Sequence, residues 1–135
     1  MKILIVDDEL VSRKKMDLLV RSLGYETVVA SDGVEGWEIW KKERARMVIT
    51  DWMMPGMDGL ELCAKIREAE GSQYIYIIMV TSKEDVNDLV RGMNAGADDF
   101  ITKPFIKEEL AVRIRAGERI SGFETRDIVI FSLAR

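Results

Sequence analysis

Short apolar runs alternate with segments of helical periodicity along the chain. Several of these runs are apolar at consecutive positions, which is typical of strands buried on both faces of a sheet. The predicted strands are residues 3–6, 25–30, 47–50, 74–80 and 100–101. After each of them, apolar residues recur at three- and four-residue spacing, which predicts helices over residues 10–23, 34–40, 60–69, 86–95 and 106–114. The pattern therefore predicts five successive strand–helix units.

Helical connections between successive strands require a parallel sheet, because only antiparallel strands can be joined by a hairpin. The crossovers are expected to be right-handed and to cover both faces of the sheet. Gly24 and Gly96 are expected to end the first and fourth helices. Ser121-Gly122 interrupts the fifth helical pattern, so one domain is expected over residues 1–120. The predicted fold is a doubly wound α/β three-layer sandwich.

Composition excludes several classes of function. The chain has 135 residues, 47% of them hydrophobic and 33% charged, which suits one globular domain. Its net charge of −4 gives no electrostatic reason to bind nucleic acid or an anionic membrane. The absence of histidine rules out histidine-dependent triads and leaves zinc few of its usual ligands. One cysteine, Cys63, and the lack of a signal peptide or membrane span lead us to expect a cytoplasmic protein.

Polar residues follow the predicted strands at their carboxyl ends. Asp7 and Asp8 follow the first strand, and Asp51 ends the third. Thr81 ends the fourth strand, and Lys103 follows the fifth. Because parallel strands bring their carboxyl ends to one edge, these side chains are expected to converge there. Clustered carboxylates repel one another unless a cation neutralises them, and an oxygen-only set suits Mg²⁺. With a lysine and a hydroxyl nearby, Asp51 could be a nucleophile that forms an aspartyl phosphate.

Five short motifs together resemble the receiver domain of two-component response regulators. They are Asp7-Asp8, the stretch from Asp51 to Gly59, Thr81-Ser82, Ala95-Gly96-Ala97 and Lys103-Pro104-Phe105. The resemblance covers residues 1–120, with the motifs in the family's order and spacing. It implies a flavodoxin-like sheet with strand order 2-1-3-4-5 and a cis peptide bond before Pro104.

The resemblance also implies a set of metal-binding residues and partners. Asp51 would accept the phosphoryl group from a sensor histidine kinase or a phosphotransfer protein. Asp8, assisted by Asp7, would hold Mg²⁺ together with Asp51 and the backbone carbonyl of Met53. The domain would assist its own phosphorylation and dephosphorylation and would not otherwise be an enzyme. Met53 and Lys83 occupy the positions that flank the hydrolytic water in this family, and they predict a long-lived phosphoryl group.

A second set of implied roles concerns the conformational switch. Thr81 would donate to a phosphoryl oxygen, and Lys103 would pair with another. Phe100 matches the aromatic residue that turns inward when the threonine moves. The output face would comprise residues 86–100 and 106–115, through which a homodimer is one hypothesis. Residues 121–135 would be a linker or the start of a truncated output segment, and they resemble the lead-in to HD-GYP-type phosphodiesterases.

Two other functions compete with a phosphorylation-controlled switch that acts on its own output domain or a downstream protein. An aspartate-nucleophile phosphatase would need a second aspartate two residues after Asp51, where Met53 stands. A degenerate receiver could act as a plain binding module, but the intact set of Asp8, Asp51, Thr81 and Lys103 counts against it. Taken singly, each motif also has a simpler explanation. Thr81-Ser82, for example, could only cap the fourth helix.

Overall fold

A computed structural model describes residues 1–82 and 86–134 of the chain, with side chains described for residues 1–82 and 87–121. The described residues form five strands and five helices in strict alternation. The strands are β1 (Lys2–Val6), β2 (Glu26–Ala30), β3 (Met47–Asp51), β4 (Tyr76–Thr81) and β5 (Asp99–Thr102). The helices are α1 (Leu10–Ser22), α2 (Gly33–Glu43), α3 (Gly59–Ala69), α4 (Val86–Ala95) and α5 (Lys107–Ala134).

All strand pairs in the sheet are parallel, and the strand order is β2-β1-β3-β4-β5. The predicted fold class, strand order and alternation are therefore confirmed. The registers align the carboxyl ends, since Val6 pairs with Thr50, and Asp51 with Val80. Element bounds differ from the predicted ones by a few residues at most, except in α5. The polar residues that follow β1, β3, β4 and β5 consequently lie along one edge.

The hydrophobic core is divided into two layers by the sheet. Ile3 and Ile5 of β1 face the layer that contains residues from α1 and α5, whereas Leu4 and Val6 face the layer of α2 and α3. Alternate residues of one strand point to opposite faces, so both layers require apolar residues. This explains why the inner strands β1, β3 and β4 are apolar at most consecutive positions. Cys63 is fully buried in the second layer, and burial raises the pKa of its thiol to about 11.

The helix ends follow local capping chemistry. Asp32 and Asp58 cap α2 and α3, where each carboxylate accepts a hydrogen bond from the backbone N–H three residues later. Gly24 and Gly96 follow α1 and α4 with φ angles of 98° and 112°, a region that favours glycine. Both predicted stops are thus confirmed. Whether Thr81-Ser82 caps α4 stays a prediction, because residues 83–85 lie outside the described residues.

The predicted interruption of α5 at Ser121-Gly122 is wrong. The helix continues through both residues, and small residues on it fit close to the sheet. A Cβ at Gly117 would lie 2.4 Å from the ring of Tyr76, and the carbonyl of buried Ser121 accepts a bond of 3.1 Å from Arg46. This packing outweighs a helix-propensity cost of about 1 kcal/mol for a glycine. Despite its length, α5 is not apolar enough to cross a membrane, and neither is any other helix of the described chain.

Candidate functional site

Three carboxylates meet at the carboxyl edge of the sheet, as the sequence predicts. Asp7 and Asp8 follow β1, and Asp51 ends β3, which lies beside β1. One oxygen from each carboxylate lies within 4.8 Å of the other two. Asp8 is exposed, Asp51 is half-buried and Asp7 is buried, so the cluster opens to solvent on one side. In the described part of the chain, these residues form the one group with the ligands for a metal ion.

The carboxylate of Asp7 is held on both oxygens. The backbone N–H of Glu9 donates to Oδ1 at 3.0 Å, and the hydroxyl of Ser12 donates to Oδ2 at 2.5 Å. Arg13 donates to the backbone carbonyl of Asp7 at 2.9 Å. Sequence reasoning missed Ser12 and Arg13, because they belong to α1 and carry no motif of their own. Asp7 is therefore a fixed part of the cluster.

Among the described residues, Asp51 has one cationic partner, whereas burial and the charge of Asp7 both disfavour its charged form. The Nζ of Lys103 lies 3.2 Å from its Oδ2, and the backbone N–H of Trp52 donates to Oδ1 at 2.9 Å. Burial raises the pKa of the Asp51 carboxyl above its ordinary value, and the charge of Asp7 raises it further. The positive charge of Lys103 opposes this shift without reversing it. The site therefore carries more negative charge than its own residues neutralise.

The ends of β4 and β5 bring Lys103 to Asp51. Thr81 ends β4, pairs with Thr102 of β5 and is buried. Its carbonyl accepts a 2.8 Å hydrogen bond from the backbone N–H of Lys103. The peptide bond between Lys103 and Pro104 is cis, which confirms the prediction. Thr81 and Lys103 thus lie beside the acidic cluster, as expected from the parallel sheet.

The loop after Asp51 is closed tightly against α3. The backbone N–H of Gly59 donates to the carbonyl of Trp52 at 2.8 Å. A Cβ at Gly59 would lie 2.4 Å from the carbonyl oxygen of Asp51, so no larger residue fits without a shift of the backbone. Met53 is 62% exposed beside the acidic residues. Lys83 lies outside the described residues, so the expected phosphoryl lifetime stays a prediction.

Comparison with known proteins decides the family. Residues 3–115 match the family model described as the response regulator receiver domain. The chain belongs to this family. The resemblance seen in the sequence is therefore confirmed, and residues 3–115 form a receiver domain of two-component response regulators.

Relatives of this receiver domain include regulators of transcription. The probable transcriptional regulator ycf27 of Porphyridium aerugineum is 40% identical over 115 residues, which are 85% of this chain and 47% of that protein. The DNA-binding response regulator MtrA of Mycobacterium tuberculosis is 35% identical over 128 residues, which are 95% of this chain and 55% of that protein. The chain thus spans about half the length of the curated relatives it matches.

Solved structures have the same fold. The Vibrio cholerae chemotaxis protein CheY4 superposes with a TM-score of 0.80 and 30% identity, over 85% of this chain and 96% of that one. A probable two-component response regulator/GGDEF domain protein superposes with a TM-score of 0.84 and 28% identity. That match covers 90% of this chain and 50% of the other. The receiver fold occurs both alone and as part of a longer protein among these structures.

The residues of this receiver fit a divalent cation that prefers oxygen. The three side chains of the cluster offer carboxylate oxygens alone, which suit Mg²⁺ and not the softer metals. Mg²⁺ usually keeps several waters, and the exposed side of the cluster at Asp8 gives room for them. Burial is the main cause of the raised pKa of Asp51, and a cation here would relieve the repulsion from Asp7 that raises this pKa further.

Two aromatic rings connect this receiver's acidic edge with α4. The rings of Trp52 and Phe100 have centroids 6.1 Å apart and are tilted by 44°. Trp52 is buried and follows Asp51 directly, and Phe100 lies on β5. The guanidinium of Arg91 on α4 lies 5.9 Å from the Trp52 ring centroid. Phe100, the predicted switch residue, therefore packs directly on Trp52, the residue next to Asp51.

Proposed function

We propose that this chain is a phosphorylation-controlled switch whose phosphoacceptor is Asp51. The observation that carries the proposal is the arrangement of three carboxylates around one direct ion pair, 3.2 Å long, between Asp51 and Lys103. A cluster built only for stability would neutralise its charges or saturate them with hydrogen bonds. This cluster keeps an excess of negative charge, an exposed side and a lysine beside its nucleophile.

Phosphorylation requires an attack of an Asp51 carboxylate oxygen on phosphorus. The new O–P bond replaces the N–P bond of a phosphohistidine on a sensor kinase or phosphotransfer protein, and the histidine nitrogen leaves. Lys103 would pair with a phosphoryl oxygen, and the Thr81 hydroxyl would donate to another. Mg²⁺, held by Asp7, Asp8, Asp51 and the carbonyl of Met53, would supply positive charge against the phosphoryl oxygens.

The domain acts on its own phosphoryl group and is not proposed as an enzyme for other substrates. A phosphatase that uses an aspartate nucleophile would need a second acid two residues after Asp51. Met53 occupies that position, and a thioether cannot donate or accept the proton of a leaving group. Asp51 is therefore a phosphoacceptor that gains a phosphoryl group and later loses it by hydrolysis within this domain.

The switch is a shift between two arrangements of the domain. In the present one Lys103 pairs directly with the unmodified Asp51 carboxylate. A phosphoryl group on Asp51 takes over that lysine and the Thr81 hydroxyl, so it favours an arrangement with different contacts. Leu89, Val90 and Met93 expose about half of their surface on α4, which makes the α4, β5 and α5 face the candidate output surface. A homodimer could form through it.

The output is proposed to lie outside this domain. The names of the relatives include a DNA-binding regulator, and a solved neighbour carries a GGDEF domain. An acidic receiver with a net charge of −4 is itself a poor ligand for nucleic acid or membranes, so any DNA contact belongs to an attached output domain or a partner. Residues 121–135 would connect the two, and an HD-GYP-type output is one of the candidates. We place the protein in the cytoplasm, where histidine kinases present their phosphohistidine.

Mass spectrometry tests the phosphoacceptor directly. Incubation with a small phosphodonor and Mg²⁺ is expected to add one phosphoryl group to the native protein and none to Asp51→Asn. Asp58→Asn is the matched control, because Asp58 lies in the same loop but only caps α3. Equal labelling of Asp51→Asn, or no labelling of the native protein, would contradict the proposal.

The same experiment separates the competing functions. Steady hydrolysis of an added phosphoester by the native protein would favour the phosphatase. The decay of the labelled mass after removal of the donor measures the phosphoryl lifetime, and Met53→Asn is expected to shorten it, because an amide can orient water.

A further inference from the structure

Gly33, the first residue of α2, lies directly against the backbone of the loop that follows Asp51. A Cβ built at position 33 would lie 2.9 Å from the carbonyl carbon of Met57 and closer still to its oxygen. Gly33 is buried, and its φ angle lies outside the left-handed region, so a larger residue could adopt the same backbone conformation. The close approach is therefore the reason for glycine here, because only a residue without a side chain leaves room for the Met57 carbonyl.

The helix α2 is held in place independently of this loop. It packs closely on β1, since a Cβ at Gly36 would lie 2.9 Å from a methyl group of Val6. Further along the helix, Trp40 is fully buried, and its indole N–H donates to the carbonyl of Ala45 at 3.0 Å. A side chain at position 33 is therefore expected to displace the loop and not the helix.

The loop that α2 contacts is the one that carries Met53. Its two ends are joined, since the backbone N–H of Gly59 donates to the carbonyl of Trp52 at 2.8 Å. Six residues lie between these two hydrogen-bonded residues, and Met57 follows Met53 by four positions. In so short a closed loop, a shift of the backbone at Met57 is expected to change the direction of the Met53 carbonyl.

The direction of the Met53 carbonyl bears on which cation the site prefers. In the proposed site this carbonyl is the uncharged protein ligand, beside carboxylates that come from the ends of β1 and β3 and do not depend on α2. Mg²⁺ requires near-ideal octahedral geometry, whereas Ca²⁺ accepts oxygen ligands in a flexible arrangement. A displaced carbonyl should therefore weaken the binding of Mg²⁺ more than the binding of Ca²⁺.

We propose that Gly33 is a positioning residue of the cation site. By admitting the Met57 carbonyl against α2, it holds the loop where the Met53 carbonyl completes the ligand set, and it thereby favours Mg²⁺ over Ca²⁺. This proposal rests on the proposed function, in which the Met53 carbonyl is one of the ligands. It assigns a role at the acidic edge to a residue of α2, which contributes no ligand of its own.

The experiment measures the dissociation constants of Mg²⁺ and of Ca²⁺ by tryptophan fluorescence. In Gly33→Ala, the affinity for Mg²⁺ is expected to fall by about tenfold, as for other residues that orient a metal ligand. The affinity for Ca²⁺ is expected to fall by less than about threefold, because this cation tolerates a displaced ligand. Val34→Ala, at the exposed neighbouring position of α2, is the control and is expected to change either affinity by less than about twofold.

Urea denaturation without either cation separates positioning from stability. A merely structural role of Gly33 would lower the free energy of unfolding in Gly33→Ala but leave the ratio of the two affinities of the folded protein unchanged. A positioning role changes that ratio whether or not the stability changes.

An unchanged affinity for Mg²⁺ in Gly33→Ala would overturn the proposal, and so would an equal loss for the two cations. If Gly33→Ala does not fold, NMR of the native protein decides. Addition of Mg²⁺ is then expected to shift the amide resonances of Gly33 and Met57 but not that of Gly71, which follows α3 at the other edge of the sheet. Unshifted resonances of Gly33 and Met57 would refute the coupling.

The proposed function can survive the failure of this inference. Phosphoryl labelling of Asp51 together with native cation affinities in Gly33→Ala would leave the phosphoacceptor intact and remove the role of Gly33. A native protein that binds no Mg²⁺ would instead remove the proposed cation site, and this inference with it.

Discussion

The two ends of the β4–β5 pair carry charged clusters of opposite design. At the amino end, the guanidinium of Arg67 is surrounded by acceptors. It donates to the carbonyls of Gly96 and Ile75 and to the carboxylates of Glu70 and Asp98, at distances between 2.6 and 2.9 Å. At the carboxyl end, three carboxylates share one lysine. The residue types are similar, but the balance of charge and hydrogen bonds differs.

Saturation with hydrogen bonds distinguishes the amino-end cluster. Asp98 also accepts from the backbone N–H of Ile77 at 2.7 Å and from the hydroxyl of Tyr74. Burial and the neighbouring Asp98 carboxylate raise the pKa of the Tyr74 hydroxyl, so it remains a donor. Every charge there has its partner within the chain. At the carboxyl end, by contrast, burial and Asp7 raise the pKa of Asp51 in spite of Lys103. The amino-end cluster is therefore closed and stabilises the fold, whereas the carboxyl-end cluster is open and keeps negative charge that a cation could neutralise.

The largest effect is expected from breaking the closed cluster. Arg67→Met leaves the part-buried carboxylate of Asp98 without its cation and is expected to lower the free energy of unfolding by about 3 kcal/mol. Urea denaturation measures this change. Lys65→Met, which removes an exposed cation from the same helix, is the control and is expected to cost under about 1 kcal/mol. A loss for Arg67→Met no larger than that of the control would show that the amino-end cluster is not structural.

A smaller effect of opposite sign is expected at the open cluster. Asp51→Asn removes a charge that is disfavoured in the folded state, so without Mg²⁺ at pH 7 it is expected to raise the free energy of unfolding by on the order of 1 kcal/mol. Since the folded-state pKa of Asp51 is raised, the cost of its charge is complete above that pKa. The gain from Asp51→Asn should therefore disappear as the pH falls and the native carboxyl becomes protonated.

Denaturation series with EDTA and with Mg²⁺ separate this gain from other causes. If Mg²⁺ binds the folded state as proposed, it should stabilise the native protein more than Asp51→Asn, which reduces the difference in stability between the two. Asp58→Asn, which removes a helix cap, should instead destabilise at every Mg²⁺ concentration. A destabilising effect of Asp51→Asn at pH 7 would contradict the contrast between the two clusters.

The smallest effect is expected from removing a hydrogen bond to Asp7 in the open cluster. Ser12→Ala removes the hydroxyl that holds Oδ2 of Asp7, so this carboxylate becomes free to rotate away from the metal site. The affinity for Mg²⁺, measured by fluorescence of the tryptophans, is expected to fall by about threefold to tenfold. Ser31→Ala, at an exposed hydroxyl bonded to Glu35, is the control. An unchanged affinity in Ser12→Ala would mean that Asp7 needs no such support.

The open cluster could be predicted from the sequence, and the closed one could not. The parallel sheet follows from local apolar runs, and it places whatever follows each strand on a common edge. Asp51 and Lys103 are found in this way although they are distant in the chain. Arg67, however, lies on a helix, where an arginine usually faces solvent, and its acceptors include carbonyls that any residue could provide. Arg67 reaches these acceptors only because α3 packs against the start of β4 and β5.

The order of the strands in the chain has a consequence for synthesis. Lys103 follows β5, whereas Asp7, Asp8 and Asp51 lie earlier in the chain and are therefore synthesised before it. At about 5–20 residues per second, the acidic residues wait several seconds for the lysine. A nascent chain that exposes Asp7, Asp8 and Asp51 without Lys103 lacks the cation that pairs with Asp51 in the folded domain. If Asp51 is the phosphoacceptor, as proposed, a growing chain would therefore not compete with finished molecules for phosphoryl groups until β5 has joined the sheet.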